Sequence, residues 1–259
     1  MEMRPWQTRR FRPRVARAGR SFDSTRGEAS PQRARLPWGA AILTQHAMPA
    51  CRHDAITIRP STLYFGTPVA LVTTLDERGR ANITPMSSVW ALDDRLVLGL
   101  SGQGQGCANL LRGGEAVVNL PDPPLHAAVE RIARTTGRAP VPDYKQALGY
   151  RHEADKFALG GFTRAASHVV APPRIAQCPL QLEARLLHAR RSTPADGDDA
   201  HDPGFLVIEL AVVHVHAHPA IVLDGSRHID TSRWSPLLYV FRHYFGTGER
   251  RGRNFRAGT

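Results

Sequence analysis

Lysine is nearly absent from this chain: of 34 basic residues only Lys145 and Lys156 are not arginine. So complete a shortage reflects a coding bias toward arginine more simply than selection for phosphate contacts. It weakens the nucleic-acid reading that a net charge of +11 invites. Residues 1–50 carry ten Arg against Glu2, Asp23 and Glu28, residues 249–259 carry four Arg against Glu249, and the 198 residues between hold 20 basic and 19 acidic groups. The folded part is close to neutral, and nucleic acid is not an expected partner. Cysteine is scarce as well. Cys51, Cys107 and Cys178 are odd in number, widely spaced and form no CxxC, so neither a disulfide framework nor a zinc site is signalled, and a reducing, cytoplasmic setting fits. No apolar run approaches the roughly 18 residues of a membrane span, and no continuous apolar stretch marks a signal peptide.

What is present falls into three parts. Residues 1–47 are rich in Arg, Pro, Ser and Gly without apolar periodicity, and are expected to be disordered or loosely attached. Met48 is an alternative natural start. Residues 48–249 are expected to form one domain, and 250–259 a basic tail. Within the domain VALVTTL, ANITPMSSVWAL, RLVLGL and EAVVNL are β-rich runs separated by DERGR, DD and RGG. The first two predict a hairpin around Asp76 to Arg80. Pro85 would interrupt a central ladder, so Thr84 to Ser88 is expected at an edge or bulge.

CANLLR predicts a short helix, LHAAVERIART a second and Asp143 to Leu148 a third; RHEADKFALGGF reads as a loop. Strands are expected again at SHVVA, RIAQCPLQLEARLLHARR and FLVIELAVVHVHAHP, with STPADGDDAHDPG as a hairpin loop between the last two. The fold class is mainly β: a Greek-key-like antiparallel β-barrel with inserted helices.

Two segments suggest a binding site. SGQGQG, Ser101 to Gly106, follows a strand and opens a helix, so glycine backbone, Ser and Gln donors and free helix N–H groups suit a phosphate. It misses the dinucleotide GxGxxG at Cys107 and lacks the Lys-Ser/Thr of a P-loop, and by itself a flexible turn explains it equally well. NITPMSS, Asn82 to Ser88, concentrates amide, hydroxyl and backbone groups beside Met86 and Trp90, as a polar-edged aromatic ring would require. An ordinary polar edge strand is the simpler reading.

Lys156, in Asp155-Lys156-Phe157, has the charge to meet a phosphate or a carbonyl. Cys107 begins a helix, where a lowered thiol pKa is conceivable, but nothing supplies a base. Cys178 reads as a buried apolar residue. His214, His216 and His218 alternate and would share one side of a strand. No nearby carboxylate completes a ligand set, solvent-facing histidines explain the pattern, and no metal site is expected. Ser101 in GLSGQ fails the nucleophile elbow, so hydrolysis is not indicated. Tight turns between the early strands rule against a Rossmann arrangement despite Asp122.

Taken together, TPVALVTTLDERGRANITPMSS, the C-A-N-L-L helix leading into VVNLP, GY-RHEADKF-LGGFT, APPRIAQCPLQLEA and VHVHAHPAIV resemble the flavin reductase-like family, from about Ile56 to Arg250. The resemblance implies an FMN-binding split barrel and a homodimer with NAD(P)H as hydride donor. Carried over by position, Asn82, Thr84, Ser87 and Ser88 would contact the isoalloxazine or ribityl chain. Ser101, Gln103, Gln105 and Asn109 would surround the phosphate, and Lys156 with Phe157 would close the pocket.

One position departs from the pattern. Where related sequences usually place a Thr three residues before the helix Asn, this chain has Gly106. Loss of one hydrogen bond to a charged group, roughly 1.5–3 kcal/mol, would weaken FMN binding about tenfold to a hundredfold unless Ser101 or a glutamine compensates.

The expected activity is hydride transfer from NAD(P)H to FMN with no catalytic side chain, because the cofactor carries the chemistry. The expected partners are small-molecule flavin and nicotinamide and, in series, a monooxygenase. An FMN-binding electron carrier or flavin store without turnover is the alternative.

Overall fold

The computed structural model describes residues 55–192 and 204–254. The expectations for residues 1–47, for Met48, for most of the acidic loop and for the end of the tail lie outside these residues. From Ile58 onward the described residues form one compact unit.

Its chain order is β1 (Phe65–Pro68), β2 (Ala70–Leu75), β3 (Ala81–Met86), β4 (Val89–Leu92), β5 (Arg95–Ser101), α1 (Gln105–Gly113) and β6 (Glu115–Leu120). A mainly helical excursion follows, with α2 (His126–Ala133), β7 (Thr135–Thr136), α3 (Asp143–Ala147), β8 (Arg151–His152) and α4 (Lys156–Gly160). The chain then returns through β9 (Arg164–Ala165), β10 (Arg174–Ile175), β11 (Leu180–Arg191), β12 (Phe205–Ala217), β13 (Leu238–Val240) and β14 (His243–Phe245).

The expected hairpin is present. One carboxylate oxygen of Asp76 accepts the Arg78 and Arg80 N–H groups, the other accepts the Arg80 guanidinium, and Gly79 supplies the positive φ of 72° that closes the turn. Seven strands form one antiparallel sheet in the order β3-β2-β6-β11-β12-β5-β4. Its two edge strands, β3 and β4, are consecutive in the chain and joined only by Ser87 and Ser88. Among the described residues no ladder links them. The sheet is therefore curled into a barrel that stays open at one seam, and Pro85 lies on the edge strand, where its missing N–H costs no ladder bond.

Two cores lie on the two faces of this sheet. Inside the barrel, Val72, Leu96, Leu98, Val118, Ile208 and Leu210 pack with Cys107 and Leu110 of α1. Outside, Leu71 and Ile83 are covered by Val129 and Ile132 of α2, Phe157 of α4, and Ile175.

Two sequence expectations are corrected. RHEADKFALGGF is not a loop: it holds β8 and α4, whose N-cap Asp155 accepts the Ala158 N–H. SHVVA is not a strand. Its backbone N–H groups at His168, Val169 and Val170 donate to the Glu183 carboxylate instead of to a neighbouring strand.

Candidate functional site

The seam opens into a cavity of about 340 Å³ between β3, the start of α1 and the helical excursion. That is within the size range of cofactor sites. A second cavity, of about 610 Å³, adjoins it and shares Gln105 and Gly137 as walls; Arg78, Arg80, Arg138 and His152 line it.

Of the residues singled out from sequence, Asn82, Thr84, Ser87, Ser88, Ser101, Gln105, Gly106 and Lys156 all line the smaller cavity. Three do not. Gln103 is exposed on the loop and away from the cavity. Asn109 is turned into the protein, donating to Thr74 Oγ1 at 3.1 Å and accepting from Gln105 Nε2 at 2.7 Å. It therefore fixes Gln105. Phe157 is 2% exposed in the outer core, with the Arg164 guanidinium 4.7 Å from its ring centre. Met86 lines the cavity, whereas Trp90 is exposed on β4.

α1 and the loop after β7 both approach β3 closely, and one glycine in each permits it. A Cβ at Gly106 would run into the Thr84 hydroxyl, and one at Gly137 would run into the Asn82 carboxamide. The Thr84 hydroxyl thus occupies the space a side chain at position 106 would need, so the cavity wall carries its hydroxyl on β3 rather than on α1. Asn82 donates to Thr84 Oγ1 at 3.1 Å, while its Oδ1 is buried without a partner. α1 begins at an uncapped Gly104, so its first N–H groups, from Gln105 onward, lack intrahelical acceptors beside the same wall.

Lys156 is 4% exposed and donates to Ile83 O at 2.8 Å. Burial, with Lys145 adding like charge, pulls its pKa from 10.5 to about 7. Burial and Arg138 lower that of Lys145 too. An anion in the cavity would relieve both. Ser88 Oγ pairs with Tyr64 at 2.8 Å and Ser101 Oγ with Tyr144 at 2.9 Å, so both serines are held by tyrosine hydroxyls. Cys107 is corrected from the helix-start reading: burial pushes its thiol pKa up, and it packs in the inner core.

The wall formed by Thr135, Gly137, Tyr144, Lys145 and Tyr150 was not found from sequence. Gly137 after two threonines, and Tyr150 in the GY-RHEADKF run, were the local signals.

A curled antiparallel sheet left open at a seam, with a polar cavity there, defines the split-barrel class. The chain belongs to the flavin reductase like domain family, which it matches over residues 62–248. It is 41% identical over 202 residues to YdfE of Bacillus subtilis (strain 168), an uncharacterized protein, covering 78% of this chain and 94% of that one. Among solved structures it is similar to the flavoredoxin of Desulfovibrio vulgaris (Miyazaki F), with 19% identity and a TM-score of 0.62 over 80% of this chain and all (100%) of the other. It is also similar to component B of nitrilotriacetate monooxygenase from Bacillus cereus, with 19% identity and a TM-score of 0.59 over 77% and 99% of the two chains. Both likenesses concern the fold.

Proposed function

We propose that this protein is an FMN-dependent oxidoreductase of the flavin reductase type that uses NAD(P)H. The observation that carries the reading is a set of buried polar groups facing the seam cavity with unused bonding capacity. Asn82 Oδ1 has no partner, and Lys156, which has three donors when charged, gives one of them to Ile83 O. A buried polar atom left unpaired costs about 1–3 kcal/mol, which a ligand with matching groups would recover. The residues fit FMN: Asn82, Thr84, Ser87 and Ser88 offer donors and acceptors for a ring edge and polyol, and Met86 an apolar contact. The α1 N-terminus with Ser101 and Gln105 suits the phosphate. Lys156 supplies positive charge, and bound anionic groups would raise its pKa and hold its proton.

Bound there, FMN would supply the two-electron acceptor chemistry; the side chains bind, orient and exclude water, and none is assigned as acid or base. Exposed Phe65, Trp90 and Leu92 on the neighbouring β1 and β4 support a homodimer, since apolar surface of this kind favours self-association. The likeness to a monooxygenase component supports a partner monooxygenase as acceptor of the reduced flavin.

Titrating the purified protein with FMN tests the reading. Quenched flavin fluorescence and a raised Tm are expected, followed by bleaching of the bound flavin on mixing with NADH or NADPH. Absence of FMN binding would end it; binding without bleaching by either nucleotide would replace it with an electron carrier or flavin store.

A further inference from the structure

On the outer face of the sheet, and outside the lining of the seam cavity, three imidazoles converge from two segments. His214 and His216 lie on β12, two residues apart and on one side, and His168 comes from the loop after β9. The ring centres are 4.5 Å apart for His214 and His216, 4.6 Å for His168 and His216, and 4.9 Å for His168 and His214. One ring nitrogen from each lies within 4.8 Å of the others. A tetrahedral ion with bonds of about 2.0–2.1 Å holds its ligand nitrogens about 3.4 Å apart, so small side-chain rotations close the set. His168 is exposed, so its side chain has room to rotate.

Beneath them is Glu183, fully buried at 0% exposure. Its oxygens accept the N–H groups of His168 at 2.7 Å, Val169 at 2.7 Å and Val170 at 3.1 Å, and Oε1 lies 2.6 Å from His216 Nε2. An ionised carboxylate only accepts, so Nε2 of His216 carries the proton and Nδ1 is left with its lone pair. That is the arrangement by which a carboxylate orients a metal-ligating histidine. The same carboxylate fixes the backbone of His168, so one buried anion positions ligands on both segments. The cations reaching this loop are taken up by its carbonyls and by neighbouring side chains: Arg174 donates to Ala166 O and Gln181 Oε1, and Arg185 to Val169 O and Glu115. His218, the third member of the alternating run, is drawn off by Ala176 O at 2.9 Å.

We infer that His168, His214 and His216 bind one divalent late-transition-metal ion of the Zn²⁺ type, oriented by Glu183 and with the fourth position open to water. Three imidazoles without carboxylate ligands suit Zn²⁺, Ni²⁺ or Cu²⁺ and do not suit Mg²⁺ or Ca²⁺. The ion would tie the loop after β9 to β12.

The test uses the untagged full chain, stripped with chelator and dialysed, titrated with Zn²⁺ against a chromophoric chelator and assayed for metal after desalting. One ion per chain is expected, with a higher Tm and, for Co²⁺, the visible absorption of a four-coordinate site. His214→Ala and His216→Ala should each abolish the bound ion, His218→Ala should leave it, and Glu183→Gln should weaken it about tenfold to a hundredfold. If Glu183→Gln does not fold, the histidine variants, checked by circular dichroism, still decide. No retained ion in the wild type, or equal retention by His214→Ala and His216→Ala, overturns the inference.

Discussion

Two groups of buried polar side chains lie on opposite sides of β2, and they treat their hydrogen-bonding capacity differently. On β6 and β11, Asn119, Gln181 and Glu183 form a row whose demands are met by the chain that covers them. Asn119 donates to Leu71 O at 2.8 Å and accepts from Ile175 N at 2.8 Å, and Gln181 donates to Cys178 O at 2.7 Å and accepts from Arg174 at 2.6 Å. On β3 and α4, Asn82 and Lys156 are also buried, at 7% and 4% exposure, yet keep bonding capacity unspent. The first group holds the segment from His168 to Cys178, which contains only the two-residue β10, onto the sheet. The second is arranged around a cavity, and the difference separates polar burial that serves the fold from polar burial that serves a ligand.

The comparison is broken most severely at Glu183. Burial alone would raise its pKa, but the N–H of His168, the His216 ring and the N–H groups of Val169 and Val170 together bring it down to about 2. Glu183→Ala strands three backbone donors and is expected to destabilise the protein by about 3–5 kcal/mol, measured by urea unfolding with FMN present and absent. The stabilisation belongs to the ionised form. It is complete above the unfolded value near 4.5 and lost as pH falls toward 2, so wild type should lose stability across that window while Glu183→Gln should not.

Asn119→Leu is milder, about 1–3 kcal/mol, because Ile175 N–H loses its acceptor. It should leave FMN affinity unchanged. A parallel loss of FMN affinity would mean the two groups are one network and the contrast is false.

Much of this was legible in the sequence. Alternating runs bounded by DERGR and DD predict the hairpins, and Pro85 predicts the edge, because those features depend on neighbours in the chain. Eight of the eleven residues singled out for the cofactor line one cavity. What was hidden depends on distant partners. SHVVA looks like a strand by composition, and only Glu183, beyond it in sequence, claims its N–H groups. Asn109 and Phe157 are polar and aromatic in the right order but are turned to Thr74 and to the outer core. The remaining wall comes from the helical excursion, where Tyr150 belongs to the GY-RHEADKF run but Thr135, Gly137, Tyr144 and Lys145 carry no motif. Gly106 was visible as a departure, but its answer in Thr84 was not, since the two meet only when α1 packs on β3.

That pairing gives the next test. Gly106→Thr should cost about 1–3 kcal/mol through overpacking against Thr84 and should weaken FMN binding. Adding Thr84→Ala should recover most of both losses by moving the hydroxyl from β3 to α1. If the double variant is no better than the single one, Thr84 does not stand in for a side chain at 106.

The smallest stability effect, and one of opposite sign, belongs to the cavity group. Asn82→Ala removes an unpaired buried atom but also the bond from Nδ2 to Thr84, so the two effects offset and the stability of ligand-free protein should change by less than about 0.5 kcal/mol, while FMN binding weakens tenfold or more. Lys156→Met goes further. The folded lysine titrates at about 7 and the unfolded one near 10.5, so the unfolded chain holds more protons between those values and wild-type stability should rise with pH across that window. Below pH 7 the full cost of burying the charge is present, so Lys156→Met should there be more stable than wild type and should lack the alkaline rise. FMN should reverse the order, because only the wild type gains from an anion beside its ammonium. Thermal melts at pH 6 and pH 9, with and without FMN, read all four corners. A Lys156→Met protein less stable than wild type at pH 6 without ligand would show that the ammonium bond to Ile83 O is there for the fold, and would place Lys156 with Glu183 instead of opposite to it.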